Sequence, residues 1–578
     1  MTSTEPPLRG GHALPEVLGR LRGHGSAVPR LVGAVVYAVA AVNIATGLSR
    51  SFRGRVHWVA DVIPGAVDDA AAAAVVVSGI LLVLLAHALR RRKHRAWRTA
   101  VALAGASVVF NALRLHPVVA LVSVVLLFLL VRYRREFYAE GDPATRWRAL
   151  YAALVLFVTS TVIGLGLLSL YDREVMGGWP GLVPALQQVW LGMVGVEGDL
   201  LLHHRFGAFL GAILLGLGLM TLLVPVGLAL RSPRPLPNLS AEDDARLRQL
   251  LSASPDSLGY FNLRQDKSVV WSASGKSAVA YRVVGGVMLA SGDPLGDAEA
   301  WPGAMTAFLA EADRHAWTPA VLGCSDRAGR AWVRTTDFAA LELGDEAIID
   351  VDSFSLEGRP MRNVRQMVGR IRRLGYTTEV TRVQDMSAAE RAHLIADAQA
   401  WRGSETERGF SMALGRVADE LDPAAVVVTA SHEGVVRGFL QFVPWGRDGM
   451  SLDVMRRDRA ADPGLNELLI VDALAACPRL GMRRVSLNFA AFRTIFERGE
   501  RLGAGPVTRL LHSVLVFSSR WFQLESLYRF NEKFRPEWSS RYLVYPGGSL
   551  PRVALAALEA EAFLTWPWAR LLDTGRHA

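Results

Sequence analysis

The first 230 residues alternate long apolar runs with short basic segments. Four runs have the length of a membrane span, which takes about 20 apolar residues, and two are shorter. The six runs are Arg30–Ser49, Asp69–Leu89, Ala100–Leu113, Val118–Tyr133, Tyr151–Leu170 and Gly207–Leu230. The pattern predicts a transmembrane domain of about six helices at 30–230. Residues 1–29 are polar, lack the apolar core of a signal peptide, and are predicted to form a polar tail.

The basic segments predict the orientation of this domain, because Lys and Arg are enriched in cytoplasmic loops. RRRKHR (Arg90–Arg95) and RYRRE (Arg132–Glu136) follow the second and fourth runs, and RSPRP follows the sixth. The chain after residue 230 is therefore expected in the cytoplasm. Arg50, Arg53 and Arg55 in the first outer loop run against this pattern.

From about residue 241 onward, short β-branched runs alternate with amphipathic helical patterns, and the order occurs twice. SAVAYRVVGGVMLASGDPLG predicts a hairpin turning at Gly285–Gly286, followed by a helix and the strand TPAVLGCS. AAVVVTASHEGVVRGFLQFVPW predicts a second hairpin, followed by a helix and the strand RRVSLNF. We expect an α/β domain of two tandem GNAT-like acyltransferase folds. The predicted boundaries are a linker at 231–245, halves at 246–375 and 376–550, and a C-terminal helix and tail at 551–578.

Composition adds charge to this picture. The chain of 578 residues has a formal net charge of +10, which favours anionic partners such as nucleic acid or an anionic leaflet. A general richness in Arg is the alternative. Cys324 and Cys477 are the only cysteines, which argues against a disulfide framework or a cysteine zinc site.

The segment MRNVRQMVGRIRRLG (Met361–Gly375) predicts a helix with one cationic face. On a helical wheel the arginines fall within roughly a 160° arc and the apolar residues lie opposite. These arginines are Arg362, Arg365, Arg370, Arg372 and Arg373. Guanidinium groups bind phosphate oxygens in pairs, so the face suits phosphates. A solvated charged face is the alternative.

Three further segments carry candidate chemistry. WRGSETERGFSM places Glu405, Glu407 and Phe410 after a helix, where a carboxylate could hold a substrate amino group; a helix cap followed by a turn is the alternative. SLDVMRRDR places Asp453 and Arg456 at a strand end, where ligands of α/β sheets bind. A carboxylate there can take a proton from a hydroxyl, although a salt-bridged loop is equally consistent. In VSLNFAAF the strand is predicted to end with Asn488, whose amide could hydrogen-bond a reacting carbonyl.

The stretch SLYRFNEKFRPEWSSRYLVYP (Ser526–Pro546) mixes basic and aromatic residues. It suits a nucleic-acid surface, where unpaired bases stack on aromatic rings, or a lipid headgroup layer; an ordinary strand edge is the third reading. The following PRVALAALEAEAFLTWPWARLL fits an interfacial helix or a packing helix.

A Walker loop, an HExxH motif and a nucleophile elbow are absent from the sequence, and ERLGAG (Glu500–Gly505) is a poor coenzyme A signature.

Seven ordered segments within about 254–554 resemble the phosphatidylglycerol lysyltransferase family, also called aminoacyl-phosphatidylglycerol synthases. They include SPDSLGYFNLRQDKSVVWS, FSLEGRPMRNVRQMVGRIRRLGY, ERGFSMALGR, LDVMRRDRAADPGLNELLIVDAL and ESLYRFNEKFRPEWSSRYLVY. The form most similar is the actinobacterial one, in which this region is fused to a lysyl-tRNA synthetase. The resemblance implies an integral membrane enzyme that moves an aminoacyl group, lysine first, from aminoacyl-tRNA to the glycerol hydroxyl of phosphatidylglycerol. The product lowers the negative charge of the bacterial cell membrane and gives resistance to cationic peptides.

The resemblance also implies roles for individual residues. Asp453 would contact the reacting hydroxyl or amino group, Arg456 a phosphate or developing charge, Glu407 the α-amino group, and Asn488 the carbonyl. The substrate-binding set is Glu405, Phe410, Arg362, Arg365, Arg372, Lys533, Arg535 and Arg541. One ester replaces another, so we expect neither a cofactor nor a metal. The expected partners are aminoacyl-tRNA, phosphatidylglycerol in an anionic membrane and, as an open possibility, a second copy of the chain.

One departure from the family pattern leaves the donor open. The chain ends at Ala578 without a synthetase, so we expect aminoacyl-tRNA made elsewhere, with alanine, arginine or an ornithine-like residue as alternatives to lysine. Diacylglycerol and a peptidoglycan precursor are alternative acceptors. An acyl-CoA transferase is disfavoured, and a membrane sensor or transporter that only binds tRNA or lipid is the non-enzymatic alternative.

Overall fold

The chain is described by a computed structural model that covers fourteen ranges and single positions between residues 32 and 562. They are 32–37, 82–86, 88–89, 93–113, 117–134, 137, 144–171, 175, 179–196, 198, 200–229, 239–402, 409–490 and 529–562. Residues 19–234 belong to one compact unit, and residues 235–312 and 317–578 belong to the other.

The first unit is helical wherever its longer segments are described. Its helices are α1 (His94–Leu113), α2 (Pro117–Arg132), α3 (Ala144–Leu170), α4 (Leu182–Val194) and α5 (His204–Ala229). Within the described residues, two helical segments are long and apolar enough to cross a membrane, Ala149–Leu170 and Phe209–Ala229. The sequence pattern did not predict α4. Most of the runs predicted at 30–49 and 69–89 lies outside the described residues, so six spans stay a prediction.

The second unit is an α/β domain. Its strands are β1 (Ser268–Trp271), β2 (Ser277–Val284), β3 (Val287–Ser291), β4 (Leu295–Gly296), β5 (Thr318–Ser325), β6 (Ala339–Asp350), β7 (Thr377–Arg382), β8 (Val426–His432), β9 (Val435–Trp445), β10 (Gly449–Arg457), β11 (Arg484–Ala490) and β12 (Glu537–Tyr545). Its helices are α6 (Ala241–Leu251), α7 (Trp301–Arg314), α8 (Asp326–Thr336), α9 (Arg362–Arg373), α10 (Ala388–Arg402), α11 (Leu465–Leu480) and α12 (Leu550–Ala560). Short 3₁₀ turns lie at Gly259–Leu263, Ala298–Ala300 and Val383–Asp385.

All the strands form one mixed sheet, in the order β1-β2-β3-β5-β12-β6-β11-β10-β9-β8-β7, with β4 beside β2. The turn between β2 and β3 consists of Gly285 and Gly286, whose φ angles of 57° and 75° are those of a type I′ hairpin turn. Such a turn suits glycine, because side chains disfavour positive φ.

The two ends of the sheet repeat one layout. At one end, antiparallel strands β1, β2 and β3 precede a crossover through α7 to the parallel β5. At the other end, antiparallel strands β7 to β10 precede a crossover through α11 to the parallel β11. At the centre of the sheet the two halves exchange strands. β12, from the end of the chain, inserts between β5 and β6 of the first half, and β6 also pairs with β11 of the second half.

Helix α9 forms as its sequence pattern predicts. Val364, Val368 and Ile371 are buried in the core beneath β8 to β10, while its arginines are exposed. Helix α12 packs as a core helix, with Val553, Ala557 and other small apolar residues buried against the β2–β3 side of the sheet. The residues after 562, including Trp566 and Trp568, lie outside the described part of the chain, so an interfacial segment there stays a prediction.

Candidate active site

The candidate site lies where β10 and β11 part. These parallel strands pair at three positions only, from Gly449 with Arg484 to Ser451 with Ser486. Just beyond, the ladder between β10 and β9 is interrupted between Leu452 and Val454, so Asp453 sits at an irregularity of the strand. Such bulges re-aim side chains, and separating parallel strands open a crevice for ligands.

Asp453 is partly buried, and both of its carboxylate oxygens accept hydrogen bonds. Oδ1 accepts from the backbone N–H of Leu414 at 2.9 Å, and Oδ2 accepts from Nε2 of Gln441 at 2.7 Å. Burial raises the pKa of Asp453 to about 7, while these two hydrogen bonds act in the opposite direction. A carboxylate with a pKa near neutrality is suited to exchange a proton with a substrate hydroxyl.

Gln441 of β9 holds Asp453 in a fixed orientation. Its Oε1 accepts the backbone N–H of Ala418 at 2.7 Å, which assigns the amide and leaves Nε2 as the donor. Nε2 then donates to Asp453 and to the carbonyl of Arg416, at 3.0 Å. The sequence analysis missed this residue. Its signal was a lone amide within the apolar run FLQFV, whose other four residues are buried.

Asn488 lies beside Asp453 and ties two segments together. Its Nδ2 donates to the carbonyls of Met412, at 2.7 Å, and of Leu452, at 2.9 Å. Its φ of 69° is unusual for a residue other than glycine, and asparagine tolerates that region better than most. The amide hydrogens thus hold the backbone on both sides of Asp453 rather than point at a substrate.

A buried ion-pair network adjoins the Gln441 amide, because Gln441 donates to the carbonyl of Arg416 and the Arg416 guanidinium pairs with Asp422. Asp422 accepts two hydrogen bonds from Arg416, at 2.5 and 2.9 Å, and one from the Tyr260 hydroxyl at 3.0 Å. Arg248 adds a contact of 3.2 Å to the same carboxylate. Burial and the charge of Asp422 raise the pKa of Tyr260, which keeps its hydroxyl protonated as a donor. The network was not predicted, because its members are distant in sequence.

The predicted phosphate-binding residues divide between surface and interior. Arg362, Arg365 and Arg372 are exposed on α9, where Arg365 also bonds two loop carbonyls and Arg372 pairs with Asp472 of α11 at 2.5 Å. Lys533 pairs with Glu467, near the start of the same helix α11, at 2.8 Å, and Arg535 is exposed.

Arg541 is instead buried in the middle of the sheet. The stretch that carries it forms an interior strand, β12, and not a strand edge. The guanidinium donates to Asp256 at 2.7 Å and to both Glu346 and the hydroxyl of Ser257, and only 3% of the residue is exposed. Its charge is compensated inside the protein, so this geometry offers no exposed face to a phosphate.

The other predicted site residues are distributed as follows. Glu405 and Glu407 lie outside the described residues. Phe410 is fully buried in the core, with the ammonium of Lys267 at 4.6 Å from its ring centroid. Arg456 is partly buried on β10, opposite Phe439 of β9. The structure therefore brings together Asp453 and Asn488, with Phe410 on the segment that leads to them.

Comparison with known proteins places these features in a family. A family model described as phosphatidylglycerol lysyltransferase, C-terminal, matches residues 248–545, and a model of the transmembrane region of lysyl-tRNA synthetase matches residues 24–229. The second match supports a membrane location for the N-terminal region.

Two curated relatives match most of the chain. Both are lysylphosphatidylglycerol biosynthesis bifunctional proteins LysX: that of Rhodococcus opacus is 39% identical over 97% of this chain and 51% of its own length, and that of Nocardia farcinica is 42% identical over 83% and 43%. The chain thus spans about half the length of the curated relatives it matches. A solved structure of L-PGS from Bacillus licheniformis is 22% identical, with a TM-score of 0.49, over 58% of this chain and all of that one.

The first family model covers more than half of the chain, which confirms the resemblance inferred from the sequence segments. The chain belongs to the phosphatidylglycerol lysyltransferase family.

Proposed function

We propose that this protein is a membrane aminoacyltransferase that moves a lysyl group from lysyl-tRNA to a glycerol hydroxyl of phosphatidylglycerol. The observation that carries the proposal is Asp453, a partly buried carboxylate with a pKa raised to about 7, held by two hydrogen bonds where β10 and β11 part. The family and the names of the curated relatives supply the lysyl group and the phosphatidylglycerol acceptor, and the resemblance of the sequence segments implies the tRNA donor.

In this mechanism the lipid hydroxyl attacks the carbonyl of the aminoacyl ester. A bond forms between the glycerol oxygen and the carbonyl carbon, and the bond from that carbon to the ribose oxygen of tRNA breaks. Asp453 takes the proton from the glycerol hydroxyl and returns it to the leaving ribose oxygen, so no net proton is released. Two lone-pair sites of the carboxylate are used by Leu414 and Gln441, and the others remain able to accept the hydroxyl proton.

The neighbouring residues act by positioning. Asn488 holds the segments on both sides of Asp453, which differs from the carbonyl contact expected from the sequence, since its amide donates to two backbone carbonyls. Arg456, three residues along β10, would bind a phosphate or the developing negative charge. Glu405 and Glu407 keep their proposed role at the α-amino group.

The cationic face of α9, with Lys533 and Arg535, would bind the tRNA end and lipid phosphates. Helix α11 links these groups, because Arg372 and Lys533 both pair with its carboxylates, Asp472 and Glu467. Arg541 does not belong to this set, because two internal carboxylates, Asp256 and Glu346, compensate its charge.

We further propose that the α/β domain consists of two GNAT-like halves, with the boundaries given by the sequence pattern, 246–375 and 376–550. The repeated order of antiparallel strands, helical crossover and parallel strand supports this layout. The domain would face the cytoplasm beneath a multi-pass membrane region, as the basic loops predict. A homo-oligomer stays a possibility of the proposal.

A donor and acceptor screen tests the function. The full-length protein, in phosphatidylglycerol liposomes, is incubated with tRNA charged by each radiolabelled amino acid, and the lipids are separated by thin-layer chromatography. Labelled lipid from lysyl-tRNA alone supports the proposal. Label that appears only in diacylglycerol or a cell-wall precursor changes the acceptor. No label with any acceptor, despite retained tRNA or lipid binding, favours a binding protein and refutes the enzyme.

A further inference from the structure

Residues 409–414, here called the strap, form a tight turn that leads to Asp453. All six are described, and they belong to neither a helix nor a strand. Gly409 has a φ of 112°, and a side-chain carbon at this position would lie 2.5 Å from Cβ of Ala413. The turn therefore requires glycine at its start. Without regular structure of its own, the strap depends on other elements for its hydrogen bonds.

Glu561, immediately after α12, binds the beginning of the strap. Its Oε2 accepts the backbone N–H of Phe410 at 2.7 Å, and its Oε1 accepts the backbone N–H of Ser411 at 3.0 Å together with the Ser411 hydroxyl. Only 1% of Glu561 is exposed. Three donors from two neighbouring residues thus converge on one buried carboxylate.

The other end of the strap contacts the candidate active site directly. The carbonyl of Met412 accepts from Asn488, and the backbone N–H of Leu414 donates to Oδ1 of Asp453. The chain from Phe410 to Leu414 is therefore fixed at one end by Glu561 and at the other by Asp453. A displacement of the first contact moves the donor of the second, because only two residues separate Ser411 from Leu414.

An ordinary structural role does not account well for this carboxylate. Glu561 follows the C-terminal end of a helix, where the macrodipole disfavours negative charge. Its described hydrogen bonds come from N–H groups and a hydroxyl, and the charge of the buried Lys267 ammonium acts on it only through space. The Lys267 ammonium lies 4.6 Å from the centroid of the Phe410 ring, and it donates to the carbonyl of Phe261 at 2.9 Å and to the hydroxyl of Ser291 at 2.8 Å.

We propose that Glu561 is a positioning residue for the transfer reaction, which holds the strap so that the Leu414 N–H reaches the catalytic carboxylate Asp453. This inference rests on the proposed function. Helix α12, at the end of the described chain, would then contribute to catalysis by carrying the residue that positions the strap. Glu561 contacts neither substrate nor the reacting atoms in this scheme, so its effect must appear through the ionisation of Asp453.

The test is Glu561→Gln in the full-length protein, with Glu559→Gln as the matched control on the exposed side of the same helix. The Gln amide replaces one acceptor oxygen by a donor, which opposes a strap donor and displaces the strap. The Leu414 hydrogen bond lowers the pKa of Asp453, so weakening it raises that pKa. In phosphatidylglycerol liposomes with lysyl-tRNA, we expect the acid limb of kcat/KM to move up by about half a pH unit or more. The rate at pH 7 falls at least about twofold, because the ionised fraction of Asp453 falls from about one half to about one quarter, and Glu559→Gln behaves as wild type.

Two results would overturn the inference. One is a normal rate with an unmoved acid limb. The other is a rate lowered equally at every pH, which marks a merely structural role. If Glu561→Gln fails to fold, Ser411→Ala takes its place, because it removes one donor and keeps both backbone contacts. A smaller shift in the same direction supports the inference, and an unmoved limb refutes it. An inactive wild-type protein would instead refute the proposed function.

Discussion

Gln441→Met tests the assignment of Asp453 most directly. The substitution keeps nearly the volume and flexibility of the side chain. It removes the amide that donates to Asp453 at 2.7 Å and to the Arg416 carbonyl at 3.0 Å, and that accepts from Ala418. The carboxylate keeps its bond from Leu414 but loses half of its described hydrogen bonds.

The expected size follows from the energy of that bond. A hydrogen bond to a charged group contributes about 1.5–3 kcal/mol, and one pKa unit corresponds to about 1.4 kcal/mol. Because Asp453 is only partly buried, we take the lower limit, which raises its pKa from about 7 by about one unit. At pH 7 the ionised fraction then falls from about one half to about one tenth, so kcat/KM falls about fivefold.

The assay measures initial rates of lysyl transfer to phosphatidylglycerol liposomes between pH 6 and 8.5, with the enzyme-free hydrolysis of the ester subtracted at each pH. Gln384→Met is the control, because Gln384 is exposed and lies in the 3₁₀ turn Val383–Asp385, outside the strands β9 and β10 that carry Gln441 and Asp453. The loss in Gln441→Met should shrink as the pH rises, since Asp453 must be ionised to take a proton.

A loss that is constant with pH would refute this reasoning, as would an acid limb that moves to lower pH. The first result would mean that Gln441 acts only on structure. The second would mean that the ionising group is not held by this amide. The backbone N–H of Ala418 also loses its acceptor, at a cost of about 1–3 kcal/mol in stability, so the rates are measured well below the unfolding temperature.

Three further predictions follow from the same geometry. Asp453→Asn should reduce transfer by at least about 100-fold while the thermal unfolding transition is retained; transfer at the wild-type rate would remove Asp453 from the mechanism. Asp422→Asn should destabilise the protein by about 3 kcal/mol, because it leaves the buried Arg416 without its ion pair, and the unfolding temperature should fall by several degrees. Asp352→Asn, in an exposed pair, should change the unfolding temperature little, and equal effects would contradict the argument. Arg362→Gln should weaken tRNA binding and reduce the slope of log K against log salt by about one, whereas an unchanged slope in filter binding would exclude a phosphate contact.

Local elements were predictable from the sequence because their signals are local. The strand TPAVLGCS is β5 residue for residue, and the double glycine marks the β2–β3 turn. The amphipathic pattern of Met361–Gly375 predicted both the helix α9 and its exposed arginines. In each case the spacing of apolar residues within one segment contains the information.

The site was predictable only in part, because it depends on contacts between distant segments. Asp453 and Asn488 were predicted at strand ends, but both lie within their strands, β10 and β11, and Asp453 stands out through the irregularity at Leu452–Val454. The role of Asn488 depends on the Met412 carbonyl, 76 residues away. Gln441 resembled an ordinary strand residue until its partners were known. Arg541, in contrast, was predicted to bind a substrate phosphate at the surface, but it is buried. Its basic, aromatic neighbourhood suggested a surface, while its compensating carboxylates, Asp256 and Glu346, lie 285 and 195 residues earlier.

The exchanged centre of the sheet has a consequence for the order of folding during synthesis. Strand β12 lies between β5 and β6, and Arg541 pairs with Ser325, more than 200 residues earlier in the chain. While the ribosome makes the intervening residues, one side of β5 and one side of β6 have no partner strand, and unpaired strand edges recruit other chains. Neither half of the sheet can therefore be completed as an independent domain as it emerges. Pairing of the last strand, β12, completes the sheet. A nascent chain that stops before Glu537 therefore leaves two unpaired strand edges, of β5 and β6, at the centre of the sheet.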